Sequence, residues 1–371
     1  MYHFLAQFNS LEGLAVNATC ALVGNVESLS QLCISGVISS TVDEVSSIEL
    51  RPVSLSENKN VVSIGVDQDN GFSIAICDAD ECTQRINYDI FAVLDSGKSE
   101  NIGAIAIVKL LSVPVVTFIV GSPRSGTTVV GNAVQDAYKV KSHGESHISE
   151  LFEQMLTTAT QFVTKSAAAR AKGTLTHSVS DVHMQSLLLE NLRQLHRDMY
   201  GNAIVIDKTP GGPMIAALPM LLKVYPQAKV IYCKRRAIEN VASRLKKFPK
   251  VSFTAHCKQW RNTHHQWNNA KNDIIKTHNR KNWFCVVEQY LLETQVEKES
   301  AKVARLIGLN SDQKQRFTGY FKHNSPQRTS KGGTMSLDGI NWSEDQKSTF
   351  MTICGKEMVR QKYSLDESYF K

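Results

Sequence analysis

Val115-Val-Thr-Phe-Ile-Val-Gly-Ser-Pro-Arg-Ser-Gly-Thr-Thr-Val-Val130 decides the fold of the larger part of this 371-residue chain. Its first six residues form a continuous apolar run, the pattern of a strand covered on both faces in a parallel sheet. Gly121 to Thr128 then reads as a tight turn, and a helix should follow. A Gly-rich turn between strand and helix aims backbone N–H groups at one point, and the helix dipole strengthens that positive end. The stretch is therefore an anion cradle.

Gly121 and Gly126 keep the spacing of the nucleotide-binding loop GxxxxGK[ST], but Thr127 stands where that motif carries lysine. An enzyme acting on nucleoside triphosphates relies on that lysine, which counts against an ATPase, a GTPase or a nucleotide kinase. The basic side chain sits inside the loop instead, at Arg124.

Outward from this stretch the sequence alternates strand and helix, the signature of an α/β domain with a parallel sheet flanked by helices. Ile148, Leu151 and Met155 share one helical face, and Met184, Leu188, Leu192, Leu195 and Met199 share another. Ala203 to Asp207 is a short strand running into Lys208-Thr-Pro, and Pro213 suits the first turn of the next helix. Lys229 to Cys233 is a strand, followed by a helix through Ser243 to Lys247. Thr254 to Ile275 reads as helix and Trp283 to Val287 as strand.

Residues 1–110 look all-β instead. Val62, Ile64 and Val66 alternate with small or polar residues, as do Phe72, Ile74 and Ile76, and the connections are rich in Ser, Asn, Asp and Gly. Short strands with such punctuation predict a small β-sandwich. Two domains follow, 1–110 and 111–371, and the charge changes with them. Residues 1–110 hold five Lys/Arg and 14 Asp/Glu, against 37 and 21 in the remainder, so the net charges are −9 and +16. The basic part suits an anionic ligand, although charge alone favours a solvated lysine-rich surface.

Eight cysteines show no CxxC pair and no metal-ligand spacing. Cys77 and Cys82 are placed to meet across a hairpin, but free thiols are expected. No export signal and no apolar run of membrane-spanning length is present, so a cytoplasmic location without membrane insertion is expected.

The segment Gly121-Ser-Pro-Arg-Ser-Gly-Thr-Thr128 resembles the 5′-phosphosulfate loop of sulfotransferases that use 3′-phosphoadenosine 5′-phosphosulfate (PAPS). The likeness is to the branch that includes the tyrosyl-protein and carbohydrate sulfotransferases and many bacterial relatives. It implies a P-loop-like fold and a transfer of a sulfuryl group to a hydroxyl. It also implies that Gly121, Pro123, Arg124, Ser125, Gly126, Thr127 and Thr128 hold the 5′-phosphosulfate. Arg124 would neutralise charge on the bridging oxygen as sulfur leaves. Family members bind the 3′-phosphate with an Arg at a strand end and a Ser eight residues later, and Arg235 and Ser243 match. An arginine fork and a helix hydroxyl suit phosphate oxygens on physical grounds as well. The family's Asp-Pro or Asn-Pro after that Arg is absent here, so Arg236 stays open as the contact.

Sulfuryl transfer to an alcohol needs a base for the hydroxyl proton. By resemblance this is Glu145 in Ser142-His-Gly-Glu-Ser-His147, with His143 and His147 as runners-up. Lys208 matches a family lysine that reaches the bridging or sulfuryl oxygen. Gln259, Trp260 and Trp267, and the segment Phe284 to Tyr290, read as structural packing. Ser330 to Gly333 reads as a loop that closes over the nucleotide or as an ordinary turn. No metal is required, since Arg and Lys supply the positive charge, and no nucleic acid partner is expected. The 1–110 pattern is similar to the immunoglobulin-like sandwiches beside some bacterial carbohydrate-modifying transferases, so the first-choice acceptor is a glycan hydroxyl. A small alcohol, lipid, phenol or tyrosine stays open, and so does an inactive nucleotide- or glycan-binding protein.

Overall fold

The structure, a computed structural model, describes residues 2–23, 31–53, 61–77, 86–109, 114–141, 143–166, 168, 170–178, 180–201, 203–278, 282–324 and 334–371. It forms two compact units, Met1–Val113 with Gln154–Leu195, and Pro114–Glu153 with His196–Lys371. The Cys77–Cys82 pairing and the Ser330 to Gly333 loop fall outside the described residues. Cys33, Cys233, Cys257, Cys285 and Cys354 are free thiols. Among the described residues no helix is long and apolar enough to cross a membrane.

Among the described residues the first unit holds eight antiparallel strands: β1 (Tyr2–Phe8), β2 (Leu14–Val23), β3 (Gln31–Ser40), β4 (Val45–Pro52), β5 (Val62–Gly65), β6 (Gly71–Cys77), β7 (Ile86–Leu94) and β8 (Ser99–Lys109). They build two sheets, ordered β1-β8-β7-β4-β5 and β2-β3-β6. Alternation produces the core: Phe72, Ile74 and Ile76 are buried while Ser73 and Ala75 face out. Ile34, Ile38 and Ile74 from one sheet join Ile48, Ile90 and Ile105 from the other in a single apolar cluster. The β5–β6 turn is tied by the Asp67 carboxylate, which accepts the Asp69 and Gly71 amides at 3.0 and 2.6 Å. Val182 packs on Leu5, Ala104 and Ala106, which brings a helical segment into this unit.

The second unit is α/β. Its strands are β9 (Val115–Gly121), β10 (Ile204–Lys208), β11 (Lys229–Lys234) and β12 (Phe284–Glu288). All pair in parallel, in the order β10-β9-β11-β12. Every residue of β9 after Val115 is buried, as the unbroken apolar run requires. After β9 the chain crosses to β10 on one side and then returns to β11 on the other. Ligands of such sheets bind beyond the carboxyl ends of the strands at this reversal.

Helices follow the strands: α1 (Thr127–Tyr138), α2 (Ile148–Lys165), α3 (Asp181–Tyr200), α4 (Gly212–Ala216), α5 (Leu218–Val224), α6 (Ala237–Lys247), α7 (Phe253–His278), α8 (Gln289–Thr294), α9 (Val296–Ile307), α10 (Ser311–His323) and α11 (Glu344–Arg360). One core packs Ile119, Ile206, Ile231 and Val287 of the sheet on Val130 and Val134 of α1 and Phe317 of α10. A second core joins α6, α7 and α11 through Val241, Trp260 and Phe350.

Two helix faces differ from the sequence expectation. Leu151 is 54% and Met155 41% exposed, while Ser149 and Phe152 are buried. In α3 the buried stripe runs through Val182, Ser186, Leu189, Arg193 and His196 rather than through the methionines and leucines alone. Apolar side chains are often left on protein surfaces, and buried polar groups carry the opposite signal, so a hydrophobic stripe fixes a helix more firmly than its orientation.

Candidate functional site

The turn after β9 is built from unusual backbone angles. Gly121 has φ +155°, and a Cβ there would strike the Cys233 carbonyl on the paired strand β11. Only glycine fits. Arg124 lies in the left-handed region at φ +74°. Gly126 takes φ +86° and caps α1 without any side-chain hydrogen bond, and the first turn holds no acidic residue. The leading amides of α1 thus keep unpaired donors on the positive end of the helix dipole. Ser125 and Thr127 are buried and Thr128 is exposed.

Asn240 of α6, which drew no attention in the sequence, clamps this loop. Fully buried, it donates through Nδ2 to the Pro123 carbonyl at 3.0 Å and to Ser125 Oγ at 3.1 Å, and its Oδ1 accepts from Ser122 Oγ at 3.4 Å. One turn further along the same helix lies Ser243. Its Oγ accepts a hydrogen bond from Arg124 Nε at 3.1 Å. Arg235, at the end of β11, donates from Nη1 to the Arg124 carbonyl at 3.3 Å. Arg124, Arg235 and Ser243 therefore form one connected cluster.

The two neighbouring arginines have different surroundings. Arg236 is fully buried, and all five of its N–H donors are committed. Nε and Nη2 grip the Glu239 carboxylate, Nη2 also reaches the Met335 carbonyl, and Nη1 serves the Ser364 and Asp366 carbonyls. Arg235 is nearly as buried, but among the described residues its side chain makes one hydrogen bond, the one to the Arg124 carbonyl. Burial lowers its basicity, nearby acids oppose that, and the Arg124 charge adds slightly to it. Bringing an anion between two buried or partly buried guanidiniums relieves both costs. Trp260 Nε1 holds the Arg235 carbonyl at 3.0 Å, and Trp267 stacks on Tyr232 of β11 with centroids 4.2 Å apart. Those α7 aromatics pack, as expected.

Close to this cluster, α8 presents Gln289 beside Gly126. Gln289 Nε2 donates to Glu293 at 3.5 Å, and burial pushes the Glu293 carboxyl up to about 7 against the pull of Arg235. Glu288, at the end of β12, is a structural acid. Tyr363 and Tyr369 each donate to it at 2.6 Å, and burial raises its carboxyl to about 7.

A second cluster forms at the end of β10. Lys208 is buried over Gly131 of α1, whose missing side chain makes the room. Asp207 beside it is fully buried and accepts from Ser146 Oγ at 2.8 Å, Thr209 Oγ1 at 2.8 Å and Ser149 Oγ at 3.3 Å. The Ser146 amide also donates to Thr209 Oγ1 at 3.2 Å. These bonds pin the segment carrying Glu145 to the strand tip carrying Lys208. Glu145 itself is partly exposed, 3.5 Å from His147 Nε2. His147 has its pKa raised, chiefly by the hydrogen bond to Glu150 and less by Glu145. His143 stacks edge-on against Tyr200, centroids 5.1 Å apart. The two clusters belong to adjacent strands, and Gly211 donates its amide to the Gly121 carbonyl at 2.9 Å across them.

Sequence reasoning passed over Asn240, Asp207 and Ser146. Asn240 had a readable sign, a polar residue three positions before Ser243 on one helix face. Asp207 and Ser146 lie 61 positions apart and had none.

A model of the sulfotransferase family matches residues 114–313. Among solved structures the chain is similar to the sulfotransferase STF9 from Mycobacterium avium, at 14% identity over 69% of this chain and 79% of that one, TM-score 0.41. It is also similar to a sulfotransferase domain from the curacin biosynthetic pathway, at 14% identity over 66% of this chain and 98% of that one, TM-score 0.39. A third likeness is to mouse sulfotransferase SULT7A1 complexed with PAP, at 12% identity over 66% and 84%, TM-score 0.34. No curated protein matches the chain.

Proposed function

The chain belongs to the sulfotransferase family, and we propose that it moves a sulfuryl group from PAPS to a hydroxyl by in-line displacement. One observation carries this reading: Arg124, Arg235 and Ser243 are hydrogen-bonded into one cluster beside the uncapped start of α1. Cations at two places, one on the loop after β9 and one at the end of β11, suit a nucleoside with anions at both 5′ and 3′ positions. A nucleoside triphosphate offers nothing for the second. Of the two candidates for the 3′-phosphate we assign Arg235, because the donors of Arg236 are committed to protein carbonyls and Glu239.

In this reading the loop from Gly121 through Thr128 holds the 5′-phosphosulfate. The acceptor oxygen bonds to sulfur as the sulfur–oxygen bond to the 5′-phosphate breaks. The acceptor proton passes to Glu145, and Arg124 with Lys208 meets the charge left on the bridging oxygen. The 3′,5′-bisphosphate (PAP) leaves. Residues 111–371 carry this chemistry and residues 1–110 are an accessory unit. A glycan hydroxyl is the acceptor we favour, on the strength of that fused all-β unit.

Calorimetric titration with PAP, with ATP as control ligand and Arg235→Ala alongside, tests the donor reading. PAP should bind, ATP should bind more weakly, and the variant should lose PAP. Binding of ATP in preference to PAP would end the reading. An acceptor screen with labelled donor follows, with Glu145→Gln as the blank at a rate about 10²–10⁴-fold lower. Labelled alcohols, phenols or tyrosyl peptides in place of glycans would correct the acceptor, and undiminished transfer by Glu145→Gln would remove the base.

A further inference from the structure

The segment between α1 and α2 carries Glu145, and two serines near it return to one atom. Ser146 Oγ donates to Asp207 Oδ2 at 2.8 Å, and Ser149 Oγ donates to the same oxygen at 3.3 Å. Between them His147 takes a left-handed backbone, φ +53°. A residue with a side chain keeps that conformation where its surroundings impose it. Here Asp207 grips the turn on both sides of His147. Its other oxygen, Oδ1, accepts from Thr209 Oγ1 at 2.8 Å, and that hydroxyl accepts the Ser146 amide at 3.2 Å. Asp207 is fully buried, and hydrogen bonds to a carboxylate are shorter and stronger than those between neutral groups. Glu145 is partly exposed, so its place is set less by packing than by the backbone of this turn.

We infer that Asp207 is a positioning residue for Glu145, holding its turn through Ser146 at a fixed span from the strand tip that carries Lys208. The inference rests on the sulfotransferase reading with Glu145 as base, and extends it. In that reading Glu145 takes the proton at the acceptor end of the transfer axis, while Lys208 meets charge at the leaving end. Asp207 and Thr209 flank Lys208 in the chain, and Ser146 adjoins Glu145. One buried carboxylate therefore ties the two ends of the axis together. Such a tie bears on the rate, because a misplacement of about 1 Å costs roughly 10²-fold in an oriented reaction. It does not bear on the nucleotide, whose phosphates meet the loop after β9 and Arg235.

Labelled PAPS without added acceptor supplies the test, with water in the place of the hydroxyl. The water oxygen bonds to sulfur as the bond to the 5′-phosphate breaks, one water proton passes to Glu145, and sulfate and PAP leave. Sulfate release at saturating donor, PAP affinity by calorimetry and the urea midpoint are measured on the full chain. The variants are Ser146→Ala, Ser146→Thr, Asp207→Asn, Glu145→Gln and the double variant Glu145→Gln/Ser146→Ala. Ser146→Ala should lower release about 10- to 100-fold while PAP affinity stays near that of the parent chain. Asp207→Asn should lower it at least as much, and Ser146→Thr, which keeps the hydroxyl, should recover most of the rate. In the Glu145→Gln background, Ser146→Ala should have little further effect, as residues acting through one another are not additive. Undiminished release by Ser146→Ala, or a loss that persists in full in the Glu145→Gln background, overturns the inference and leaves the donor reading standing. A loss of PAP affinity in step with the rate marks a merely structural role and overturns it as well. Undiminished release by Glu145→Gln removes the base and this inference together, and preference for ATP over PAP removes the donor reading itself.

Discussion

Arg235 and Arg236 stand side by side after β11, and the regions they enter are built on opposite rules. Around Arg236 the protein closes on itself. Glu239, Met335, Ser364 and Asp366 take every guanidinium donor, Tyr369 Oη accepts its backbone amide at 3.0 Å, and the Tyr369 ring covers it at 4.7 Å. Around Arg235 the positive charge is buried too, near Arg124, Tyr369, Glu239 and Glu293, but among the described residues its side chain makes one hydrogen bond, to the Arg124 carbonyl. The first region spends its polar groups on stability. The second commits fewer of them, and buried charge left so is what marks a candidate site among residues of the same type.

The largest effect should come from breaking the lock. Arg236→Ala leaves the Glu239 carboxylate buried without its partner, and this should cost about 3–5 kcal/mol, read as a fall in the urea midpoint. Arg235→Ala should do the reverse. Its denaturation midpoint should stay near that of the parent chain, while PAP affinity falls roughly 10- to 150-fold, as expected for charged hydrogen bonds. A matching fall in stability would show that the two arginines do the same work. Asn240→Ala lies between the regions. It removes the clamp on Pro123 and Ser125, and a loss of PAP affinity of about tenfold is expected, from the loss of a preorganised loop.

The smallest effect concerns pH. Glu288, raised to about 7 from 4.5 by burial, binds its proton more tightly folded than unfolded. The stability it contributes is full below about 4.5 and is lost as pH rises through about 7. Glu288→Gln should flatten the fall in thermal midpoint across that window. If the parent chain gains stability over the same range, Glu288 is held ionised by Lys234 and its two tyrosines instead.

Much of the site could be read in the sequence because it is local. Gly121 and Gly126 advertise positive φ, and the apolar run before them advertises a strand covered on both faces. Arg235 and Ser243 were legible through the resemblance to the family's strand-end arginine and the serine eight residues after it. Other features depend on distant residues. Leu151 and Met155 have the spacing of a buried face and are exposed, because hydrophobic spacing does not show which side of a helix finds a partner. Asp207 looked like the polar end of a strand and is a fully buried carboxylate gathering three hydroxyls.

By itself the sequence determined a parallel α/β unit with a glycine-rich turn between its first strand and the following helix, and strands rich in alternation before it. Those properties follow from backbone angles and side-chain periods, which neighbouring residues set. Only the tertiary structure decided which of two adjacent arginines is spent on the protein, that Asn240 clamps the loop, and that Arg124 reaches Ser243. The reason is that a buried donor must find an acceptor, and for Arg236 those acceptors lie on residues 335, 364 and 366, about a hundred positions or more away.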